Sequence, residues 1–131
     1  MSEISAPEVF LEEFYRGFTE EILVPDADVE GVVDRYYTSD IEQVADGIPL
    51  DRSKLIAHLR PVRKNLVAYR YDVHEALRHG DRMAARLDIH ASMRTGQVLS
   101  TEIQLMAEFT PDGRMCRAHQ LTRSLPPTDT I

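Results

Sequence analysis

Met83-Ala84-Ala85-Arg86-Leu87-Asp88-Ile89-His90 sets Met83, Ala85, Leu87 and Ile89 on one parity and Arg86, Asp88 and His90 on the other. A period of two over eight residues is that of a strand with one face on a core. Upstream, Tyr69, Tyr71, Val73 and Leu77 alternate with Arg70, Asp72 and His74, and His79-Gly80-Asp81 supplies a turn. Downstream, beyond Thr95-Gly96, Ile103, Leu105, Ala107 and Phe109 oppose Glu102, Gln104, Met106 and Glu108. Pro111-Asp112-Gly113 is a second turn signal. The last run places Cys116, Ala118, Gln120 and Thr122 on one parity, and Met115, Arg117, His119, Leu121 and Arg123 on the other. Four strands joined by short connections predict an antiparallel meander with one apolar and one mixed face.

Working back toward the N-terminus, the period lengthens to that of a helix. Phe10, Phe14, Phe18 and Ile22 recur every four residues, with Leu11 and Tyr15 widening the stripe. Ser5-Ala6-Pro7-Glu8 reads as a capping box at its start, and Pro25-Asp26 as its stop. Asp28 caps a short second helix with Val29, Val32, Val33, Tyr36 and Tyr37. Residues 38–46 leave open a short extra strand, closed by Gly47 and Pro49. Asp51 caps a third helix with Leu55, Leu59, Val62 and Leu66 on one face, and Pro61 inside it predicts a kink or an early end. Helices covering one face of such a meander make an α+β domain. One domain is expected over 6–125, with flexible termini at 1–5 and 126–131.

Composition narrows the function classes. The 131 residues are 43% hydrophobic and 28% charged, enough for one core and against global disorder. A net charge of −7 argues against a nucleic-acid binder, which needs a basic footprint. A single cysteine, Cys116, excludes an internal disulfide framework, and no metal or cofactor is expected. The longest apolar run is Leu66-Val67-Ala68-Tyr69, so no membrane role is expected, and the Met1–Ser5 stretch lacks the features of a secretion signal. The expected location is cytoplasmic.

Three loose signatures now carry a resemblance. They are Val29-Glu30-Gly31-Val32-Val33-Asp34-Arg35-Tyr36-Tyr37 leading into Asp40 and Asp46-Gly47, then His79-Gly80-Asp81-Arg82-Met83-Ala84-Ala85-Arg86, and Glu108-Phe109-Thr110-Pro111-Asp112-Gly113-Arg114-Met115. In this order and spacing the chain resembles the nuclear-transport-factor-2-like superfamily, in its SnoaL-like branch of polyketide cyclases and ketosteroid isomerase-like proteins. The resemblance implies a cone-shaped sheet packed on three N-terminal helices, a pocket in the gap, and a homodimer through the outward sheet face. It also implies a site that this chain lacks. An isomerase-like site would need a phenol near Phe14 or Phe18, a base near Val44 or Ala45 and an acid at Leu105. Leu105 cannot donate a hydrogen bond to an enolate, so isomerase chemistry is not expected.

Several residues remain candidates. Asp46 is a weak candidate for a general base at the cone mouth, although Asp46-Gly47 also reads as a turn. Tyr15, Tyr36 and Tyr71 have apolar bodies and polar tips suited to orienting a carbonyl, or to filling the core. Leu87 and Leu105 are expected to line the pocket, and Gln120 and Thr122 are polar residues on the inward parity. Glu75 shares that parity but reads as an exposed edge position. His74, His90 and His119 fall on the outward parity, where a charged ladder is expected, and Cys116 reads as a small core residue. These readings imply a mainly apolar pocket for a small hydrophobic ligand. Proton transfer on a hydrophobic carbonyl or polyketide-like compound would suit it; the alternative is a non-catalytic homodimeric binding or accessory module. Whether the protein is an enzyme is left open.

Overall fold

The computed structural model describes residues 6–126. Three helices, α1 (Pro7–Ile22), α2 (Val29–Tyr36) and α3 (Arg52–Asn65), combine with six strands. The strands are β1 (Tyr37–Ala45), β2 (Ile48–Leu50), β3 (Leu66–His79), β4 (Arg82–Met93), β5 (Val98–Phe109) and β6 (Met115–Ser124). They form one sheet in the order β2-β1-β6-β5-β4-β3. The expected meander is β3 to β6. The segment left open forms a nine-residue strand and a β-hairpin, and β1 runs parallel to β6, so the sheet is mixed where an antiparallel one was expected.

Local chemistry sets the element ends. Pro7 opens α1, where its missing N–H costs nothing, but the N-cap is Ala6 with no side-chain cap. The expected capping Ser5 lies outside the described residues, as do 1–5 and 127–131 of the expected flexible termini; Pro126 is described and lies just past β6. Asp28 Oδ1 accepts from the Gly31 N–H at 3.2 Å and Asp51 Oδ1 from Lys54 at 2.9 Å, so both expected caps are present. Pro61 does not end α3, which continues to Asn65. Tyr37, expected at the end of α2, opens β1 instead, in extended backbone.

Bulges decide which side chains enter the core. The β3–β4 register slips between Val73 and Glu75, which turns Ala76 inward and leaves Leu77 76% exposed, contrary to the alternation read from the chain. A second slip between Glu108 and Phe109 buries Met115 and leaves Cys116 only partly covered, again exchanging the expected pair. The apolar parity of β4 and β5 holds, and Met83, Leu87, Ile103, Leu105, Ala107 and Phe109 are buried beneath the helices. Phe14, 5% exposed, is the hub of the core. Its ring lies 5.3–5.6 Å from those of Tyr15, Tyr36, Tyr37 and Phe109, and 6.3 Å from that of Phe10.

Candidate functional site

Tyr15 is one residue, about 100° of helix, from Phe14. Phe14 therefore meets β1 and β5 while Tyr15 turns to β3 and stacks on Tyr71, with centroids 5.8 Å apart and planes at 23°. The Tyr71 hydroxyl is hydrogen bonded to Thr19, whose own hydroxyl lies 2.9 Å from the Tyr15 carbonyl. A threonine has one proton to give. With it on the Tyr15 carbonyl, Tyr71 donates to Thr19 and keeps its lone pairs free. Tyr37 enters from β1, buried between Phe14 and Phe18, at 5.6 and 5.2 Å.

Burial pushes the Tyr15 and Tyr37 phenols well above their ordinary range and Tyr71 in the same direction. Tyr71 raises Tyr15 further, and Tyr15 and Tyr71 together raise Tyr37, so charge on one phenol is felt by the next. The three therefore stand as neutral O–H groups. A phenol whose folded pKa is raised favours folding below its unfolded value near 10, and that contribution is lost as pH rises through the folded value. Ultraviolet titration at 295 nm should show Tyr15 and Tyr37 un-ionised at pH 10–11, with their phenolate signal arriving together with loss of far-ultraviolet circular dichroism. Ionisation of all five tyrosines near pH 10 in the folded protein would contradict the arrangement.

Two amides share the inward side of β1 and β6. Ala45 pairs with Gln120 and Gln43 with Ala118, which makes Gln43 and Gln120 diagonal neighbours. The Gln43 Nε2 is buried with no acceptor among the described residues, and so is the hydroxyl of Thr38. Such groups normally find a partner in protein or water. No carboxylate side chain is among the buried residues described; the buried polar residues are Thr19, Thr38, His90 and Ser100.

The other candidates lie apart from this interior. Tyr36 packs its ring on Phe14 and Phe18, but its hydroxyl donates to Glu21 at the α1–α2 seam. Burial and that carboxylate push it up to about 12. Asp46 sits with Gly47 in the two-residue β1–β2 turn, at φ 51° and 81°, which reverses the chain in the left-handed region. Its carboxylate is exposed and accepts from the Thr122 hydroxyl at 2.5 Å and N–H at 2.8 Å. Those bonds hold it below the usual carboxylate range, where a base in a dry pocket would be raised. Thr122 is thereby occupied at the rim. Leu87 and Leu105 are packed core, 0% and 2% exposed.

On the outward face, His74 meets Asp88 at 2.8 Å, and His90 bridges Asp72 at 3.3 Å and Ser100 at 2.8 Å. His90 is buried, although its parity suggested exposure. Glu75 is exposed as expected and bonds Arg86. No cluster among the described residues could hold a metal ion. Leu77, Ala84, Met106 and His119 form one rung across β3 to β6. Leu77, Met106 and Leu121 are exposed beside an open groove of about 690 Å³ lined by Leu77, Met106, Arg117 and His119.

Sequence reading missed Tyr37, Thr19 and Gln43. The four-residue spacing of Val29, Val33 and Tyr37 points to helix, whereas Tyr37 opens β1. Gln43 had a usable signal, since Ile41, Gln43 and Ala45 share a parity, but the strand itself was ambiguous.

No protein-family profile matches the chain, and no curated protein matches its sequence. Solved structures do match. A protein of unknown function from an Exiguobacterium species, described as nuclear-transport-factor-2-like, is 16% identical, covering 92% of this chain and 99% of its own, with a TM-score of 0.64. One from Shewanella denitrificans, provisionally named a SnoaL-like polyketide cyclase, is 12% identical over 88% of this chain and 90% of its own, at 0.63. Another, from Catenulispora acidiphila and with a ketosteroid isomerase-like fold, was solved with trimethylamine. It is 9% identical over 88% and 85% of the two chains, at 0.60. No helix described is long and apolar enough to cross a membrane.

Proposed function

The chain has the nuclear-transport-factor-2-like cone fold, and from that premise we propose that it binds a small, mainly apolar compound carrying a carbonyl or phenolic oxygen inside the cone. One observation carries this reading: Tyr15, Tyr37 and Tyr71 gather as neutral phenols in an apolar interior. In a water-poor site an O–H donor stabilises a ligand oxygen more than it would in water, and most strongly an oxygen gaining negative charge. The unpaired Gln43 amide adds a further donor. Hydrophobic carbonyl or polyketide-like compounds supply both the apolar body and the acceptor. The Tyr15 and Tyr37 phenols would polarise such a carbonyl and acidify the neighbouring C–H, while Tyr71 gives its proton to Thr19. Removing that proton needs a base, and Asp46 lies exposed at the rim with its oxygens taken by Thr122. Binding with polarisation is therefore the primary role, and proton-transfer turnover the second.

The test compares 2-naphthol with naphthalene, which differ by one hydroxyl. Isothermal titration should show 2-naphthol binding more tightly, with Tyr37→Phe and Tyr15→Phe each removing about fivefold of that preference, the ~1 kcal/mol scale of one hydrogen bond. Equal affinity of both probes for the unaltered protein would overturn polar recognition inside the cone. For turnover, Asp46→Asn should leave any rate measured on an enolisable substrate unchanged.

The alternative, a homodimeric binding or accessory module, draws on the outward rung. Leu77 and Met106 stand exposed on either side of Ala84, whose small side chain leaves room for an apolar group from a second copy. Both roles fit one molecule, because the cone interior and the outer rung are opposite faces of the sheet.

A further inference from the structure

Helix α3 concentrates the positive charge of an acidic protein. Its fourteen residues, Arg-Ser-Lys-Leu-Ile-Ala-His-Leu-Arg-Pro-Val-Arg-Lys-Asn, hold five of the fifteen Lys and Arg and none of the 22 Asp and Glu. Two of the five are used internally. Arg52 is held by Asp34 at 2.9 Å and Glu30 at 3.6 Å, and Arg63 donates to the carbonyls of Ile22 and Val24 at the end of α1, at 2.8 and 3.4 Å. The remaining three, Lys54, Arg60 and Lys64, are exposed and have no ion-pair partner among the described residues.

At 100° per residue, these three lie around the half of the helix opposite the buried Leu55 and Leu59, with His58 at its flank. Arg94, from the β4–β5 turn, donates to the Lys64 carbonyl at 3.1 Å and brings another exposed cation to the same end. Lys54 to Lys64 spans about 15 Å of helix. Helix stability alone does not explain the set, since Lys54 sits in the first turn, where the macrodipole disfavours a cation.

We propose that the solvent face of α3 docks an acidic polypeptide segment, with Lys54, Arg60, Lys64 and Arg94 meeting its carboxylates. The chemistry of the face selects this among polyanions. Its centre holds only Ala57 and Pro61, so it lacks the large apolar side chains that anchor an amphipathic helix in a lipid surface. Its one aromatic ring is the small His58 imidazole at the flank, with none at the centre for successive bases to stack on, and the rest of the chain, with ten cations against 22 anions, repels a long phosphate backbone. A short acidic peptide meets the local patch without facing that wider field.

The probe is a fluorescein-labelled twelve-residue peptide rich in Glu, titrated with the full chain at low salt and read by anisotropy. Saturable binding should weaken with added salt. The variant Lys54→Glu/Arg60→Glu/Lys64→Glu should bind about tenfold or more weakly while keeping its circular dichroism and melting temperature, because all three side chains are exposed and make no ion pair among the described residues. Arg16→Glu/Arg123→Glu, exposed on α1 and β6, should bind the peptide as the unaltered chain does. Absence of binding, equal binding by the α3 variant, or tighter binding of a single-stranded twelve-nucleotide DNA or of phosphatidylserine vesicles than of the peptide would each overturn the proposal.

Discussion

Phe14→Ala should lower the unfolding free energy by ~3–5 kcal/mol, the range for deleting a buried ring. Phe14 joins α1 to α2, β1 and β5 through edge contacts with Tyr15, Tyr36, Tyr37 and Phe109, so the vacated volume is bordered by rings from four elements. Rings fixed from several sides cannot all move into the space. The loss should therefore sit near the upper end of the range and remove a large part of the ~5–15 kcal/mol that holds a domain of this size together. Urea denaturation at fixed protein concentration measures it. Val9→Ala on the same helix, where the side chain is 53% exposed, should change stability by less than about 0.5 kcal/mol. A Phe14→Ala loss below about 1 kcal/mol would mean that the aromatic hub does not hold the helices to the sheet.

The second large effect concerns assembly. Leu77→Asp/Met106→Asp should convert a homodimer into a monomer in multi-angle light scattering, with the fold retained. Both side chains already face water, 76% and 64% exposed, so the change costs the monomer little. In a dimer each would be a carboxylate pressed against an apolar rung, where an unpaired buried charge costs several kcal/mol. The flanking Arg82, Glu108 and Arg117 supply both signs, as a self-complementary interface requires. If the unaltered chain is itself monomeric at micromolar concentration, the outer rung serves another purpose and the homodimeric reading fails.

Much of the cone was legible in the chain because strand parity and helix periodicity are local. Met83 to Ile89 and Ile103 to Phe109 point where their alternation says. Asp28 and Asp51 cap the helices that they precede, because a cap is decided within four residues. Reading failed where one residue was inserted into a ladder. Neither the slip after Val73, which exposes Leu77, nor the one before Phe109, which buries Met115, has a signature in its own segment. A bulge is a property of two paired strands.

The candidate site divides in the same way. Sequence placed Tyr15 and Tyr71 among residues with polar tips, but it could not separate them from Tyr36, which has the same composition and a similar helical setting. The fold separates them by what each hydroxyl meets: Thr19 for Tyr71, the Glu21 carboxylate for Tyr36. Asp46 was legible as both a turn and a base, and the long-range bonds from Thr122, 76 residues away, hold its carboxylate below the usual range.

By itself, then, the sequence determined the three helices and the four-strand meander that follows them, the inward face of the central strands and the absence of an acid at Leu105. Each of these follows from side-chain type and short-range period. Only the tertiary structure decided that Tyr37 joins Tyr15 and Tyr71, that Gln43 is left without an acceptor, and that β1 lies parallel to β6. These depend on strand register and helix docking, in which residues tens of positions apart share one low-dielectric volume, and no local pattern encodes the distance between them.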